Sequence, residues 1–216
     1  MAQNEAYPVF TRSERIADAV MHIVGLAFAI TGTILLIIWA SGNTDAGTIA
    51  GLSVYGGTLI ASFVASLFYH FTPWERARPA FRRIDHAAIY LKIAGTYTPL
   101  VVLIGSAFAY GVLVVVWALA AVGVVGKLFF FGRPGRLGVV MYLTLGWLSL
   151  LLASSLWPLL PIAGLVLIGV GGLVYTIGAV IFSLDALRYQ NAIWHGFVLT
   201  ASVCFFAAIA TGVVAA

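Results

Sequence analysis

The sequence predicts an all-α polytopic membrane protein, a bundle of seven transmembrane helices with its N-terminus in the cytoplasm. Three observations lead to this fold class: the composition, the lengths of the apolar runs and the positions of the basic residues. Of the 216 residues, 62% are apolar and 8% are charged, whereas about a quarter of the residues in a soluble domain are charged. Seven spans of about 20–25 residues use most of the chain. We therefore predict a single transmembrane domain over residues 1–216.

Glycine, proline and charged residues divide the apolar sequence into seven runs. The predicted spans are residues 16–39, 47–71, 84–105, 107–127, 137–156, 159–184 and 192–215. The first run is too long for the core of a signal peptide, so we expect a retained span. The fifth and sixth spans are separated by Trp157 and Pro158, with Pro161 just inside the sixth. That division depends on proline as a helix breaker.

Arginine and lysine predict the orientation, because basic residues near the ends of spans stay in the cytoplasm. Ten of the eleven basic residues lie before span one or in alternate connections: Arg12, Arg15, Arg76, Arg78, Arg82, Arg83, Lys127, Arg133, Arg136 and Arg188. The opposite connections contain none, so the N-terminus is predicted inside and the C-terminus outside. The net charge of +4 therefore reflects topology and attraction to anionic lipid, and we expect no nucleic-acid partner.

Ionisable side chains within spans are costly, so each is a candidate for function. They cluster near the predicted cytoplasmic leaflet, at Glu14, Asp18 and His22 of span one, His70 beside Ser66 of span two, Asp85 of span three and His195 of span seven. Residues spaced by four share one helix face. Imidazoles and a carboxylate from separate helices are ligands that zinc prefers. The pattern thus indicates a metal site at one level of the bundle.

Each of these residues also has a structural interpretation. A histidine near a helix end often only hydrogen-bonds a serine or a carbonyl group. His86 follows Asp85 directly, so it points about 100° away, and we leave it outside the predicted site. Lys92 lies two turns deeper than Asp85 on the same face. We expect its side chain to snorkel to the cytoplasmic headgroups, with an ion pair to Asp85 as the alternative.

Five segments, in order along nearly the whole chain, resemble those of one known family. They are residues 14–22 (ERIADAVMH), 66–70 (SLFYH), 81–99 (FRRIDHAAIYLKIAGTYTP), 146–147 (GW) and 193–199 (IWHGFVL). On these segments the chain is similar to the hemolysin III family, bacterial relatives of the progestin and adiponectin receptors. The resemblance implies a seven-helix bundle in the bacterial inner membrane and a zinc site near the cytoplasmic leaflet. By this analogy His70 and His195 bind zinc, Asp85 reaches it directly or through water, and Ser66 supports the site.

The chain departs from the family pattern at three positions. The family has a histidine one helical turn before His195, where this chain has Asn191, and another ten residues after it, where this chain has Phe205. An amide is a poorer zinc ligand than an imidazole. Lys92, where leucine is common in relatives, adds a positive charge close by. These departures predict weaker zinc binding than in the family.

The leading functional hypothesis is a zinc-dependent hydrolase that acts on a lipid amide or ester in membrane lipid homeostasis. Asp85 would serve as general base and Ser66 would hydrogen-bond the oxyanion. We expect the side-chain heads of His70, Asp85 and His195 to lie within roughly 4–6 Å of one another.

A transporter is possible, although no pair of broken helices marks a midplane site. Two further classes of function remain open on the sequence. One is a non-enzymatic membrane sensor or regulator whose polar cluster ties helices together. The other is a cytolysin, as the family name suggests, although a secreted toxin needs a water-soluble face that this sequence lacks. Membrane lipid is the expected partner, and the sequence does not specify an oligomeric state.

Overall fold

The computed structural model describes residues 10–130, 136–183 and 187–215, and these ranges contain helices and no β-strand. The α-helices are α1 (Arg12–Asn43), α2 (Ala46–Phe71), α3 (Arg78–Ile104), α4 (Ala107–Val125), α5 (Arg136–Trp147), α6 (Ala153–Leu156), α7 (Ile162–Phe182) and α8 (Gln190–Ala215). A π-helical turn, Gly126–Phe130, extends α4, and a 3-10 segment, Leu148–Leu152, joins α5 to α6. Within these ranges, seven helical segments are long and apolar enough to cross a membrane. The predicted fold class is confirmed.

Two helices begin a full turn or more before their apolar runs, because polar residues at the start of each helix adopt helical conformation. Helix α1 begins at Arg12, where Thr11 and Glu14 form a capping box that satisfies the first backbone N–H groups. Helix α3 begins at Arg78, with a proline in its first turn. An apolar run therefore marks the part of a helix that lies in hydrocarbon, and the helix itself extends further.

The start of the sixth span was predicted incorrectly. Helix α7 begins at Ile162, and Pro161 is its N-cap in an extended conformation, with φ −55° and ψ 148°. Pro161 thus lies outside the helix, because an N-cap residue needs no helical backbone angles. The break at Trp157 and Pro158 is present, since α6 ends at Leu156.

The helices pack in an order that brings the first, second and last helices together. Helix α1 packs between α2 and α8, while α3 packs against α2 and α4, and α7 packs against α8. Helix α5 contacts α3, α4 and α7. Small residues allow α1 and α2 to approach closely, because Gly25 lies against the Phe63 ring and Gly56 lies against Thr33.

The fifth span is irregular because the 3-10 segment interrupts its α-helix. Hydrogen bonds from a tyrosine and a tryptophan lie near this interruption. The Tyr97 hydroxyl of α3 donates to the carbonyl oxygens of Leu145 and Gly146, each at 2.8 Å. These carbonyls precede the 3-10 segment. The indole Nε1 of Trp147 donates to Thr176 Oγ1 of α7 at 3.1 Å. Backbone groups released from regular helix bonding inside a membrane need such partners.

The orientation of the bundle is tested by reporter fusions. A reporter fused after residue 216 should be extracytoplasmic, and one inserted at residues 73–77, between α2 and α3, should be cytoplasmic, because the arginines cluster on that side. Alkaline phosphatase and a fluorescent protein that folds only in the cytoplasm provide opposite readouts. Finding both positions on the same side would contradict the seven-span topology.

Candidate metal centre

Asp18 occupies the centre of a buried polar cluster at the end of the bundle where α1 begins, which we call the cytoplasmic end from the predicted orientation. Its Oδ1 atom lies 2.6 Å from His195 Nδ1 and 3.4 Å from His22 Nδ1. Its Oδ2 atom lies 3.4 Å from His70 Nδ1. Asp18 is only 5% exposed. One carboxylate thus contacts imidazoles of α1, α2 and α8.

His22, His70 and His195 form the candidate metal site, which we call the histidine triad. Their ring centroids are separated by 5.3 Å (His22 to His70), 4.1 Å (His22 to His195) and 4.7 Å (His70 to His195). One ligand atom from each of the three lies within 4.8 Å of the others, so the triad could hold a metal ion. All three side chains are buried.

Hydrogen bonding determines which ring nitrogens face the interior of the triad. The Nδ1 atom of His22 lies 2.8 Å from the backbone carbonyl oxygen of Asp18, which accepts only, so this Nδ1 is the donor. The Nδ1 of His195 donates to the Asp18 carboxylate. In neutral imidazoles both Nε2 atoms are then acceptors.

These two acceptors converge on one hydroxyl group. Ser66 Oγ lies 3.0 Å from His22 Nε2 and 3.2 Å from His195 Nε2. A hydroxyl has a single proton, so Ser66 can donate to at most one of the two imidazoles and leaves at least one Nε2 lone pair without a donor from Ser66. One cation at this point, either a proton or a metal ion, resolves the mismatch. This arrangement is the strongest structural indication that the triad binds a cation.

The predicted site residues are partly brought together. His70 and His195 face one another, and Ser66 lies between His195 and His22. The Asp85 side chain is hydrogen-bonded to Ser66 and lies near His22 and Asp18. Its role as a zinc ligand stays a prediction.

Sequence reasoning did not include His22 among the ligands. The one sequence signal for His22 was its i, i+4 spacing from Asp18, which places both residues on one face of α1. The resemblance, however, transferred ligands only from the second, third and seventh spans. The structure places His22 in the triad, within 4.8 Å of the other two ligand atoms.

Asn191 lies at the edge of the triad, as its spacing from His195 requires. Its Nδ2 atom is 3.4 Å from His70 Nδ1. The turn before α8 is fixed by Glu14, whose Oε1 accepts from the Tyr189 backbone N–H at 3.1 Å. Tyr189 has a left-handed φ of 61°, which is uncommon for a residue with a Cβ atom. The α1 capping residue therefore also fixes the start of α8.

A small pocket, which we call the mouth, adjoins the triad at the cytoplasmic end. It is lined by Phe10, Glu14, Arg15, Asp18, His70, Phe71, Tyr189, Asn191 and Ala192. Two of these, Asp18 and His70, belong to the polar cluster. The mouth therefore borders the centre on the side where α1 and α8 begin.

The prediction that Lys92 snorkels to the headgroups is wrong. Its side chain is buried, with 5% of the residue exposed, and its ammonium donates to the Tyr175 hydroxyl of α7 at 2.9 Å. The ammonium also lies 5.2 Å from the ring centroids of Phe63 and Tyr175. Among the described residues, no carboxylate, Asp85 included, lies within 4.0 Å of it. Aromatic rings hold Lys92 inside the bundle through cation–π contacts.

Comparison with known proteins gives a consistent set of relatives. A family model described as haemolysin-III related matches residues 10–206. The chain is 34% identical to a hemolysin-3 homolog of Bacillus subtilis over 201 residues, which cover 92% of this chain and 93% of that protein. It is also 34% identical to hemolysin-3 of Bacillus cereus over 194 residues, 89% of each chain. The human monocyte to macrophage differentiation factor is 30% identical over 164 residues, 72% of this chain and 67% of that protein.

The structural role of Asp18 is tested by Asp18→Asn. The amide keeps the shape of the carboxylate but loses its charge and places an NH₂ group against imidazole N–H donors. We expect the free energy of unfolding to fall by about 1–3 kcal/mol, measured as a lower midpoint of thermal unfolding in detergent.

Glu75→Gln is the matched control for Asp18→Asn. Glu75 is exposed in the turn between α2 and α3, where hydrogen bonds from Arg78 lower its pKa. We expect little change for this variant because exposed ion pairs contribute little. Equal midpoints for Asp18→Asn and the unchanged protein would show that the bundle does not depend on the shared carboxylate.

Proposed function

Since the chain belongs to the haemolysin-III-related family of multi-pass membrane proteins, we propose that it is a zinc-dependent hydrolase of a bacterial inner membrane that cleaves an amide or ester bond of a lipid. The observation that carries the proposal is the histidine triad with Asp18 behind it and Ser66 in front. Its place at the cytoplasmic end supports access from the headgroup region of one leaflet.

The donor set suits a catalytic zinc ion. Three protein ligands with a fourth open position are typical of catalytic zinc sites, and imidazole is a preferred ligand. Metal-binding histidines usually donate their second N–H to a carboxylate or a carbonyl group. His195 and His22 do so to the side chain and the backbone of Asp18. When bound, zinc would acidify a water molecule and polarise the lipid carbonyl group.

The remaining steps belong to side chains of this chain. Asp18 orients His195 and His22 so that their Nε2 atoms face the Ser66 hydroxyl. In the proposal, Asp85 takes a proton from the attacking water and returns it to the leaving amine or alkoxide. The Ser66 hydroxyl donates a hydrogen bond to the oxygen that becomes negatively charged. The apolar bundle binds the acyl chain.

A non-enzymatic membrane regulator is the second candidate, and two observations favour it. Asn191 places an amide at the edge of the triad, and Lys92 places a buried positive charge in the electrostatic environment of His195. Both reduce the affinity of the centre for a metal cation. In this function, the Asp18 cluster ties α1, α2 and α8 together without turning over a lipid.

The zinc and hydrolase proposals are tested together with histidine variants. Purified protein should contain about one zinc per chain and release fatty acid from an acyl amide or acyl ester in liposomes. His22→Ala and His195→Ala should each remove most of the zinc and the lipid turnover, because each removes one of three ligands. Zinc is measured by mass spectrometry of the dialysed protein, and fatty acid by lipid extraction.

The control for these variants is His86→Ala, which removes a histidine outside the triad. The Tyr142 hydroxyl donates to the backbone oxygen of His86, a contact that the substitution retains. Zinc content and turnover should stay unchanged. Zinc-loaded protein without turnover would favour the regulator, and equally low zinc in the unchanged protein and the triad variants would contradict both zinc and hydrolysis.

Asn191→His should strengthen metal binding. The amide already contacts the His70 ring at 3.4 Å, and residue 191 lies one helical turn before His195. A fourth imidazole at this edge should raise zinc affinity by about one to several powers of ten, at about 1.4 kcal/mol per tenfold change. Zinc retention is measured against graded chelator concentrations.

The double variant Asn191→His/His70→Ala is the control for this gain. Removing His70 should reverse most of the increase, because the two imidazoles would share one ion. An unchanged affinity in Asn191→His would show that residue 191 does not reach the metal position.

A further inference from the structure

A groove of mixed character lies beside the mouth, where α1 begins and α2 ends. It is lined by Phe10, Arg12, Arg15, Ile16, Ala19 and Phe71. Two of these side chains are cationic and four are apolar. We call this surface the α1 groove. Its composition matches a ligand that has a negatively charged group joined to an apolar body.

The two arginines of the α1 groove are available for an anion. Both are exposed, and among the described residues no carboxylate lies within 4.0 Å of either guanidinium group. Glu14 lies between them in sequence, but its carboxylate binds Thr11 and the Tyr189 backbone instead. Guanidinium groups bind phosphate oxygens in a bidentate manner. Two of them one helical turn apart suit a phosphate group.

An apolar track continues from the arginines towards the membrane interior. Ile16, Ala19 and Ile23 follow the spacing of one helix face, and Ile16 and Ile23 are 54% and 64% exposed. This face of α1 lies in the hydrocarbon of the bilayer if the span begins near Ile16. A soluble phosphate compound has no group to place there, whereas a lipid acyl chain does.

We propose that the α1 groove binds an anionic phospholipid of the cytoplasmic leaflet, with its phosphate between Arg12 and Arg15 and an acyl chain along Ile16 and Ile23. The charge agrees with this occupant, because the leaflet is rich in anionic lipid and each basic residue near its surface contributes to lipid binding.

The bound headgroup lies next to the metal centre. The α1 groove shares Phe10, Arg15 and Phe71 with the mouth, which reaches Asp18 and His70. A lipid phosphate bound to Arg15 would therefore lie between the lipid leaflet and the metal centre. Lipid binding in the α1 groove requires neither zinc nor hydrolysis, so this proposal can be tested independently of the proposed enzyme.

Lipid binding is measured by native mass spectrometry of purified protein with added phosphatidylglycerol, and with phosphatidylcholine of the same acyl chains. Phosphatidylglycerol should bind more tightly. Arg12→Gln/Arg15→Gln should weaken its binding about 25-fold, and Arg15→Gln alone about fivefold, from the usual contribution of one basic residue near a membrane surface. Binding of phosphatidylcholine should change much less.

Three controls make the result specific. Arg76→Gln removes the same charge from an exposed arginine of the turn between α2 and α3. It should weaken the binding of phosphatidylglycerol less than twofold. Removal of bound metal with a chelator should leave lipid binding unchanged, which separates this site from the proposed enzyme. Arg15→Lys keeps the charge and should restore part of the affinity.

Several outcomes would overturn the proposal. An equal loss in Arg76→Gln would show diffuse attraction of the whole surface. Full competition by glycerol phosphate, which has no acyl chain, would show a phosphate site for a soluble ligand. Unchanged phosphatidylglycerol binding in both Arg15→Gln and the double variant would show that the groove binds no anionic headgroup.

Discussion

The centre of this protein depends on one buried carboxylate that contacts three imidazoles. Asp18 contacts His22 on its own helix, His70 on α2 and His195 on α8. A carboxylate inside a membrane bundle is costly unless it is hydrogen-bonded, so α1 cannot rotate or slide without losing these partners. The Asp18 carboxylate and the Asp18 backbone carbonyl fix the Nδ1 protons of His195 and His22 and thereby direct two Nε2 atoms at one point. Helix packing and the chemistry of the centre are therefore set by the same interaction.

Much of the fold followed from the sequence, whereas the full composition of the centre did not. Apolar runs located the spans, and the spacing of Ser66 and His70 placed both at one end of α2. Periodicity shows which residues share a face of one helix, but it does not show how that helix is rotated against its neighbours. The rotation of α1 depends on close approach to α2, where Gly25 meets Phe63. The position of His22 in the triad therefore depends on packing between helices, which cannot be inferred from the sequence of one helix.

Lys92 shows the same limit for an electrostatic prediction. Snorkelling was inferred from depth and side-chain length, which are properties of one helix. The partners that hold the ammonium, Phe63 and Tyr175, come from α2 and α7. A cation held inside the bundle lowers the affinity of a nearby site for a metal ion. An ion held there would exchange more readily than in a site with a further histidine and no lysine.

The irregular fifth span has a mechanical consequence. An α-helix rises 1.5 Å per residue and a 3-10 helix about 2.0 Å, so the five residues Leu148–Leu152 differ in length by about 2.5 Å between the two forms. Bilayers of different composition differ in hydrophobic thickness by a few ångströms. Tyr97 binds two carbonyls beside this segment and holds the span to α3 on one side of it. The 3-10 form of Leu148–Leu152 therefore makes the fifth span about 2.5 Å longer than a regular helix would be, away from the contacts among α1, α2 and α8.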